Sequence, residues 1–477
     1  IFKGGFLSSL FFLNMRKLIT SIILFFSFFL YSQEPLFTLV DNSKTGIDFS
    51  NDLVDTKEHS IFLYANYYGG AGVGIGDFDN DGLEDIFFAA NLVDDKIYKN
   101  LGNFQFEDKT KMSGIINNGS WSTGVTIADV NNDGLLDIYV SCELYDDLPY
   151  LRTNKLYINE GDFKFKESAK NWGVDVDRRT RHSVFFDYNN DGLLDLYLLN
   201  HPPNTGNFSP FFGSDMTLPE YNLQLFENKG DHFIDVTQSA GLDRSGFPNA
   251  AVIGDFNKDG WPDIYVANDF DAPDFLYYNN KDGSFTYKTE SSLRHTSFYS
   301  MGVDAADINN DSHLDLMVLD MTAEDNFRLK SNMSAMNPES FWKVVNGGGH
   351  YQYMFNTMQI NNGNDTFSDI AQLTGTAATD WSWSSLVADF DNDGNKDIYI
   401  TNGLLRDIRN TDADKKIAEI VSKKINNYLT NNLNDSEISL WDVVDLEELL
   451  NLLPSQKLKN YYYKNNGNLK FSNITDN

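Results

Sequence analysis

The stretch Gly76–Asn91 reads GDFDNDGLEDIFFAAN, placing four carboxylates, Asp77, Asp79, Asp81 and Asp85, around Gly82 before an apolar run. Acids this close repel one another unless they hold a cation or spread into solvent. The pattern returns as DVNNDGLLD at Asp129, DYNNDGLLD at Asp187, DFNKDGWPD at Asp255, DINNDSHLD at Asp307 and DFDNDGNKD at Asp389. A second phrase follows each loop, as in KIYKNLGNFQFEDKT, KLYINEGDFKFKESA and YYYKNNGNLKFSNIT. Each unit therefore reads as a four-strand meander. One strand enters the acidic loop and a second leaves it; a third of the KIYKN type turns at Asn-Gly into a fourth.

Four-strand units of about 50 residues repeated along a chain are the signature of a β-propeller. The expected fold is all-β, a propeller of four-stranded blades with six complete repeats visible, seven blades expected, and one helical insertion. That insertion spans 403–460, where KKIAEIVSKKINNYL and DVVDLEELLNLL carry apolar residues at three- and four-residue spacing. The propeller region is read as 36–477. The phrase FTLVDNSKTGI at Phe37 matches the fourth-strand phrase of the other units, and a last blade is expected beyond Asn477.

The loops have the logic of a hard-cation site. In D-x-[DN]-x-D-G-x-x-D, side chains at positions 1, 3, 5 and 9 can converge, position 6 allows the sharp turn, and position 7 can offer its carbonyl. Oxygen donors without convergent His or Cys suit calcium; an Asx-rich hairpin turn is the structural alternative. The expected ligands are Asp77, Asp79, Asp81, Leu83 and Asp85; Asp129, Asn131, Asp133, Leu135 and Asp137; and Asp187, Asn189, Asp191, Leu193 and Asp195. The later loops offer Asp255, Asn257, Asp259, Trp261 and Asp263; Asp307, Asn309, Asp311, His313 and Asp315; and Asp389, Asp391, Asp393, Asn395 and Asp397. About six Ca2+ sites are expected, the fifth weakest because Ser312 stands where glycine is wanted.

These units resemble FG-GAP/VCBS repeats, the blades of integrin α-subunit propellers, and more closely bacterial secreted proteins of the cartilage acidic protein type that often carry an ASPIC/UnbV region. GGAGVGIGDFDNDGLEDIFFAAN, GWPDIYVANDFDAPDFLYYNN and WSWSSLVADFDNDGNKDIYITNG carry the resemblance. It implies a calcium-binding propeller, usually seven-bladed; no ASPIC/UnbV region is visible in this sequence.

With 37 Lys+Arg against 69 Asp+Glu the formal charge is −32, which argues against nucleic acid as a partner. Hydrophobic residues at 41% argue against disorder. From Met15 the chain reads MRKLITSIILFFSFFLYSQE, the layout of a signal peptide over 15–32, with residues 1–14 upstream of the true start. The expected location is secreted, cell-surface or periplasmic, with no membrane span after cleavage. Cys142 is the single cysteine, so no intrachain disulfide forms.

The seven histidines sit in unlike contexts and no G-x-S-x-G motif is present, so no catalytic residue is assigned and the protein is read as a non-enzyme. RRTRH at Arg178–His182 reads as a solvated loop, and WSWSS at Trp381–Ser385 as packing. The functional expectation is an exported binding or adhesion module. Its protein or glycan ligand would sit opposite the calcium loops, on long insertions carrying Phe208, Phe211, Phe212, Tyr221, Phe341, Trp342 and Tyr351. The alternative is a propeller-fold carbohydrate-active enzyme, or a non-catalytic part of one.

Overall fold

A computed structural model describes residues 36–64, 66–202, 218–270, 272–332, 338–431 and 439–475. The expected upstream segment, the signal peptide, and Phe208, Phe211 and Phe212 lie outside the described residues. Residues Asp41–Asp476 form one compact unit; in the other, Leu36–Val40 carries no helix or strand.

Among the described residues, six four-stranded antiparallel sheets, blades 1 to 6, span 73–108, 121–167, 180–235, 248–287, 303–369 and 382–473. In each, strand order follows chain order, so every connection is a meander. The first strands of successive blades lie against one another from blade 1 to blade 6. The protein is a β-propeller of four-stranded blades.

Second strands read as continuous apolar runs because both of their faces are covered. Along Asp137–Glu143 every residue is buried. Ile138, Val140 and Cys142 face the layer shared with blade 1, while Tyr139 faces the layer shared with blade 3, as a period of two requires. Blades 3–4, 4–5 and 5–6 share equivalent layers. The core is thus a series of slabs between sheets, built from side chains worth about 1.5–3 kcal/mol each when fully buried.

The helical insertion of blade 6 contains Thr411–Asn431, Leu440–Val443 and Leu446–Leu450. Its Ala413, Leu450 and Leu453 pack with Ile61, Tyr64, Tyr67 and Trp121, joining the last blade to the segment before blade 1 and to the first strand of blade 2. It is not the only helical part. Blade 5 inserts Asn326–Ser331 and Pro338–Asn346 after its second strand, the first capped by Asp325, whose side chain accepts from Phe327 N and Arg328 N. One-turn helices also follow the fourth strands, at Thr110–Ser113, Ala169–Trp172, Thr237–Ala240, Thr289–Ser292 and Ala371–Thr374. All are too short for a hydrophobic period to register in sequence. Asn42–Thr45 and Gly46 repeat this turn ahead of blade 1, so the helical half of the Phe37 phrase matches its counterparts while Phe37–Val40 forms no strand.

A candidate cation site in six aspartate loops

Each acidic loop joins the first strand of its blade to the second and is folded by its own carboxylates. In blade 1, Asp77 accepts from Asp81 N at 3.0 Å and Gly82 N at 2.7 Å, and Asp81 Oδ1 accepts from Leu83 N at 3.0 Å. The last aspartate is buried: Asp85 accepts from Phe78 N at 3.0 Å and from Asn100 N of the third strand at 2.7 Å. The position-9 pattern recurs at Asp137, Asp195, Asp263, Asp315 and Asp397 from the third strand, at 2.8–2.9 Å. Burial pushes the carboxyls of Asp85 and Asp315 up to about 6, and those of Asp137, Asp195 and Asp263 up to about 7.

The turn needs positive φ twice. Position 6 has φ 86° at Gly82 and 71° at Ser312, so the fifth loop takes the common turn despite its side chain. Ser312 N donates to Asp307 at 2.7 Å as the glycines do at this position. Position 4 is also left-handed, at Asn80, Asn132, Asn190, Lys258, Asn310 and Asn392, with φ of 56–60°. The asparagines are the sequence signal for it, since Asn tolerates this region better than most residues. Asn80 Nδ2 further donates to Gly134 O of the next loop at 2.9 Å, and Asn310 to Gly394 O at 3.1 Å.

From blade 2 to blade 6, the asparagine ending the third strand reaches the preceding blade's loop. Asn228 Nδ2 donates to Val130 O at 2.8 Å, and Asn159, Asn279, Asn361 and Asn465 make the equivalent bond to Phe78, Tyr188, Phe256 and Ile308. The loops are therefore stitched to one another.

Carboxylate oxygens of Asp77, Asp79 and Asp85, and of Asp389, Asp391 and Asp397, lie within 4.8 Å of one another. Asp81 and Asp393 do not belong to these groups. Asp79 Oδ1 and Asp391 Oδ1 are buried without a hydrogen-bond partner, whereas their Oδ2 atoms meet Lys99 and Lys464. A buried carboxylate oxygen lacking a donor, beside two further carboxylates, fits a hard divalent cation. In the middle four loops, position 3 is asparagine and its Oδ1 accepts from the position-5 N–H at 3.0 Å in each. Position 7 is engaged through its N–H, at Leu83, Leu135, Leu193, Trp261, His313 and Asn395, each donating to the position-5 carboxylate.

The opposite ends of the sheets are lined by a different set of groups. RRTRH is not a solvated loop. Thr180–Phe186 is the first strand of blade 3, and Arg181, its side chain 9% exposed, pairs with the buried Glu143 at 3.3 Å, with His201 on the other carboxylate oxygen. Burial pushes the Glu143 carboxyl up, but His201 and Arg181 outweigh it and hold it well below the usual range. Burial, and then Arg181, lowers His182 to about 4. Sequence alone could not pair an arginine with a glutamate 38 residues away. Trp381 is buried with Met301 and Met321, so WSWSS packs as expected.

These features define a class: a repeat propeller whose blades each carry an oxygen-lined loop at the turn between the first two strands. A family model for the FG-GAP-like repeat matches residues 52–140, 216–266, 255–318 and 344–400, and the chain belongs to that family. It is 25% identical over 308 residues to human cartilage acidic protein 1, covering 60% of this chain and 42% of that protein, so the chain spans less than half of that relative's length. Among solved structures, it is similar to an Agrocybe aegerita lectin that recognises non-reducing terminal N-acetylglucosamine, with 17% identity, TM-score 0.40, and coverage of 69% and 73% of the two chains. A BBS1N chain solved with ARL6DN gives 7% identity, TM-score 0.36, and 69% and 75%.

Proposed function

We propose that the protein is an exported, calcium-stabilised propeller that binds a protein or glycan partner on the face opposite its aspartate loops, without catalysis. The observation that carries the calcium half is the buried, donorless Oδ1 of Asp79 and of Asp391 beside two further carboxylates. Asp77, Asp79 and Asp85, with their counterparts in the other blades, would hold the ion. Calcium supplies no chemistry beyond charge neutralisation; this chain's own residues shape the loops and tie them together. At free calcium tenfold above Kd, each filled site contributes about 1.4 kcal/mol.

The binding half is supported by the blade 5 insertion, which follows a second strand and so emerges at the end away from the acidic loops. Phe341 stacks on Tyr353 with ring centroids 5.5 Å apart and meets Trp342 edge-on at 5.2 Å. Trp342 is 52% exposed and Tyr351 41%. Such a shelf on a rigid scaffold suits an amphipathic partner. The N-terminal Met15–Ser32 layout supports export.

The test has two arms. Melting in millimolar calcium against chelator is expected to raise the midpoint, and an unchanged midpoint overturns the calcium reading. Capture on immobilised glycans and extracellular matrix proteins is expected to fall at least about tenfold in Trp342→Ala with the melting midpoint preserved, a loss of hot-spot size. Equal capture by parent and variant overturns the face assignment.

A further inference from the structure

The six loops differ in one coordinated way. Where position 3 is Asp, in the first and sixth loops, the penultimate third-strand residue is Lys99 or Lys464; where it is Asn, that residue is Ile158, Glu227, Tyr278 or Ile360. The structure gives the reason through the outer oxygen of position 5, which has a cationic or amide neighbour in each blade. In blades 2, 3 and 5 the position-3 amide donates to it, Asn131 to Asp133 at 2.8 Å, Asn189 to Asp191 at 3.0 Å and Asn309 to Asp311 at 2.9 Å. In blade 4 the Lys281 ammonium stands 3.4 Å from Asp259 Oδ2. An aspartate at position 3 has no such donor to give and adds a negative charge. In blade 1 Lys99 fills the gap, meeting Asp79 and reaching Asp81 Oδ2 at 2.8 Å; in blade 6 Lys464 meets Asp391 and reaches Asp393 Oδ2 at 3.2 Å.

We propose that Lys99 and Lys464 are built-in counter-cations, which keep the first and sixth loops formed without metal and weaken the calcium affinity that the three convergent carboxylates would otherwise confer. The affinity half rests on reading the loops as calcium sites; the first half does not. Each lysine holds only the outer oxygen of the position-3 carboxylate, leaving the inner one free toward the other two acids. The lysines are therefore positioning residues rather than occupants of the site. A unit charge acting on a divalent ion across about 6 Å at the dielectric of water changes affinity about tenfold.

The experiment uses the full chain, with melting in chelator and calorimetric titration with calcium chloride. Lys99→Met is expected to lower the chelator midpoint and to tighten one calcium site about tenfold. The paired exchange Asp79→Asn with Lys99→Ile recreates the blade 2 combination of Asn131 and Ile158 and is expected to restore the chelator midpoint. Lys464→Met, and Asp391→Asn with Lys464→Ile, should behave alike. A chelator midpoint unchanged in Lys99→Met, or not restored by the exchange, overturns the counter-cation role. Calcium binding unchanged or weakened in Lys99→Met overturns the affinity half. Parent protein that takes up no calcium overturns the calcium reading itself, and the chelator melts alone then decide whether the lysines hold the loops.

Discussion

Replacing Arg328 by alanine should loosen the insertions of blades 5 and 6 while leaving the sheets intact. The guanidinium forks onto Asp380, from Nε at 2.6 Å and Nη2 at 2.8 Å, and onto Asp407, from Nη1 at 3.0 Å and Nη2 at 3.2 Å. A fifth bond runs from Nη1 to Gln456 at 3.0 Å. Arg328 is 6% exposed, Asp380 7% and Asp407 4%, so the network lies out of water. Hydrogen bonds to Asp380 hold Arg328 above its ordinary range against the opposing effect of burial, with Asp407 adding to them. Alanine leaves two buried carboxylates facing each other without a cation, and breaking a buried pair in this way costs about 3–5 kcal/mol. If the cost falls on local opening, the open population rises about a thousandfold, at 1.4 kcal/mol per decade. Hydrogen exchange over 326–332 and 404–410 should then accelerate by that order while second-strand amides such as those of Asp137–Glu143 keep their protection. Adding Asp380→Asn and Asp407→Asn removes the stranded charge and should recover much of the loss. Unchanged exchange in the single variant, or no recovery in the triple one, would refute the reasoning.

Two further expectations concern single residues. Ser312→Gly should stabilise the fifth loop by about 1 kcal/mol, because the φ of 71° is already adopted and its N–H bond to Asp307 already made, so only backbone strain is relieved; a chelator melt that does not rise speaks against strain there. Asp274 accepts from Tyr265 Oη at 2.7 Å and Asn268 N at 2.8 Å, and burial pushes its carboxyl up to about 7. Its contribution is therefore fully present below about pH 4 and is lost as pH rises through 7. Asp274→Asn, the residue that blade 2 uses at Asn154 to accept from Cys142 N, should match the parent near pH 4 and exceed it at pH 8. Parallel melting curves across that range would contradict the assignment.

The repeat by itself specifies most of the architecture. Asx-Gly punctuation and alternation are local, and a unit recurring six times repeats its evidence each time, so strand order, the loop positions and the presence of helices between the second and third strands of blade 6 are legible in the residues. One-turn helices such as Ala169–Trp172 are not, because four residues carry no period. The loop backbone is half legible: glycine at position 6 announces positive φ, while asparagine at position 4 is a weaker signal, because it also suits an ordinary turn. What the sequence could not supply was the partner of each charge. By sequence Arg181 belongs to a solvated basic loop, but the sheet places it on Glu143, and only the tertiary structure sets Lys99 on Asp79 and Asp81. A chain pattern specifies which face a side chain takes, because that follows from a period of two along one strand. Which charge lies across the gap depends on register between strands and packing between blades, and those contacts form only when the tertiary structure closes the distance.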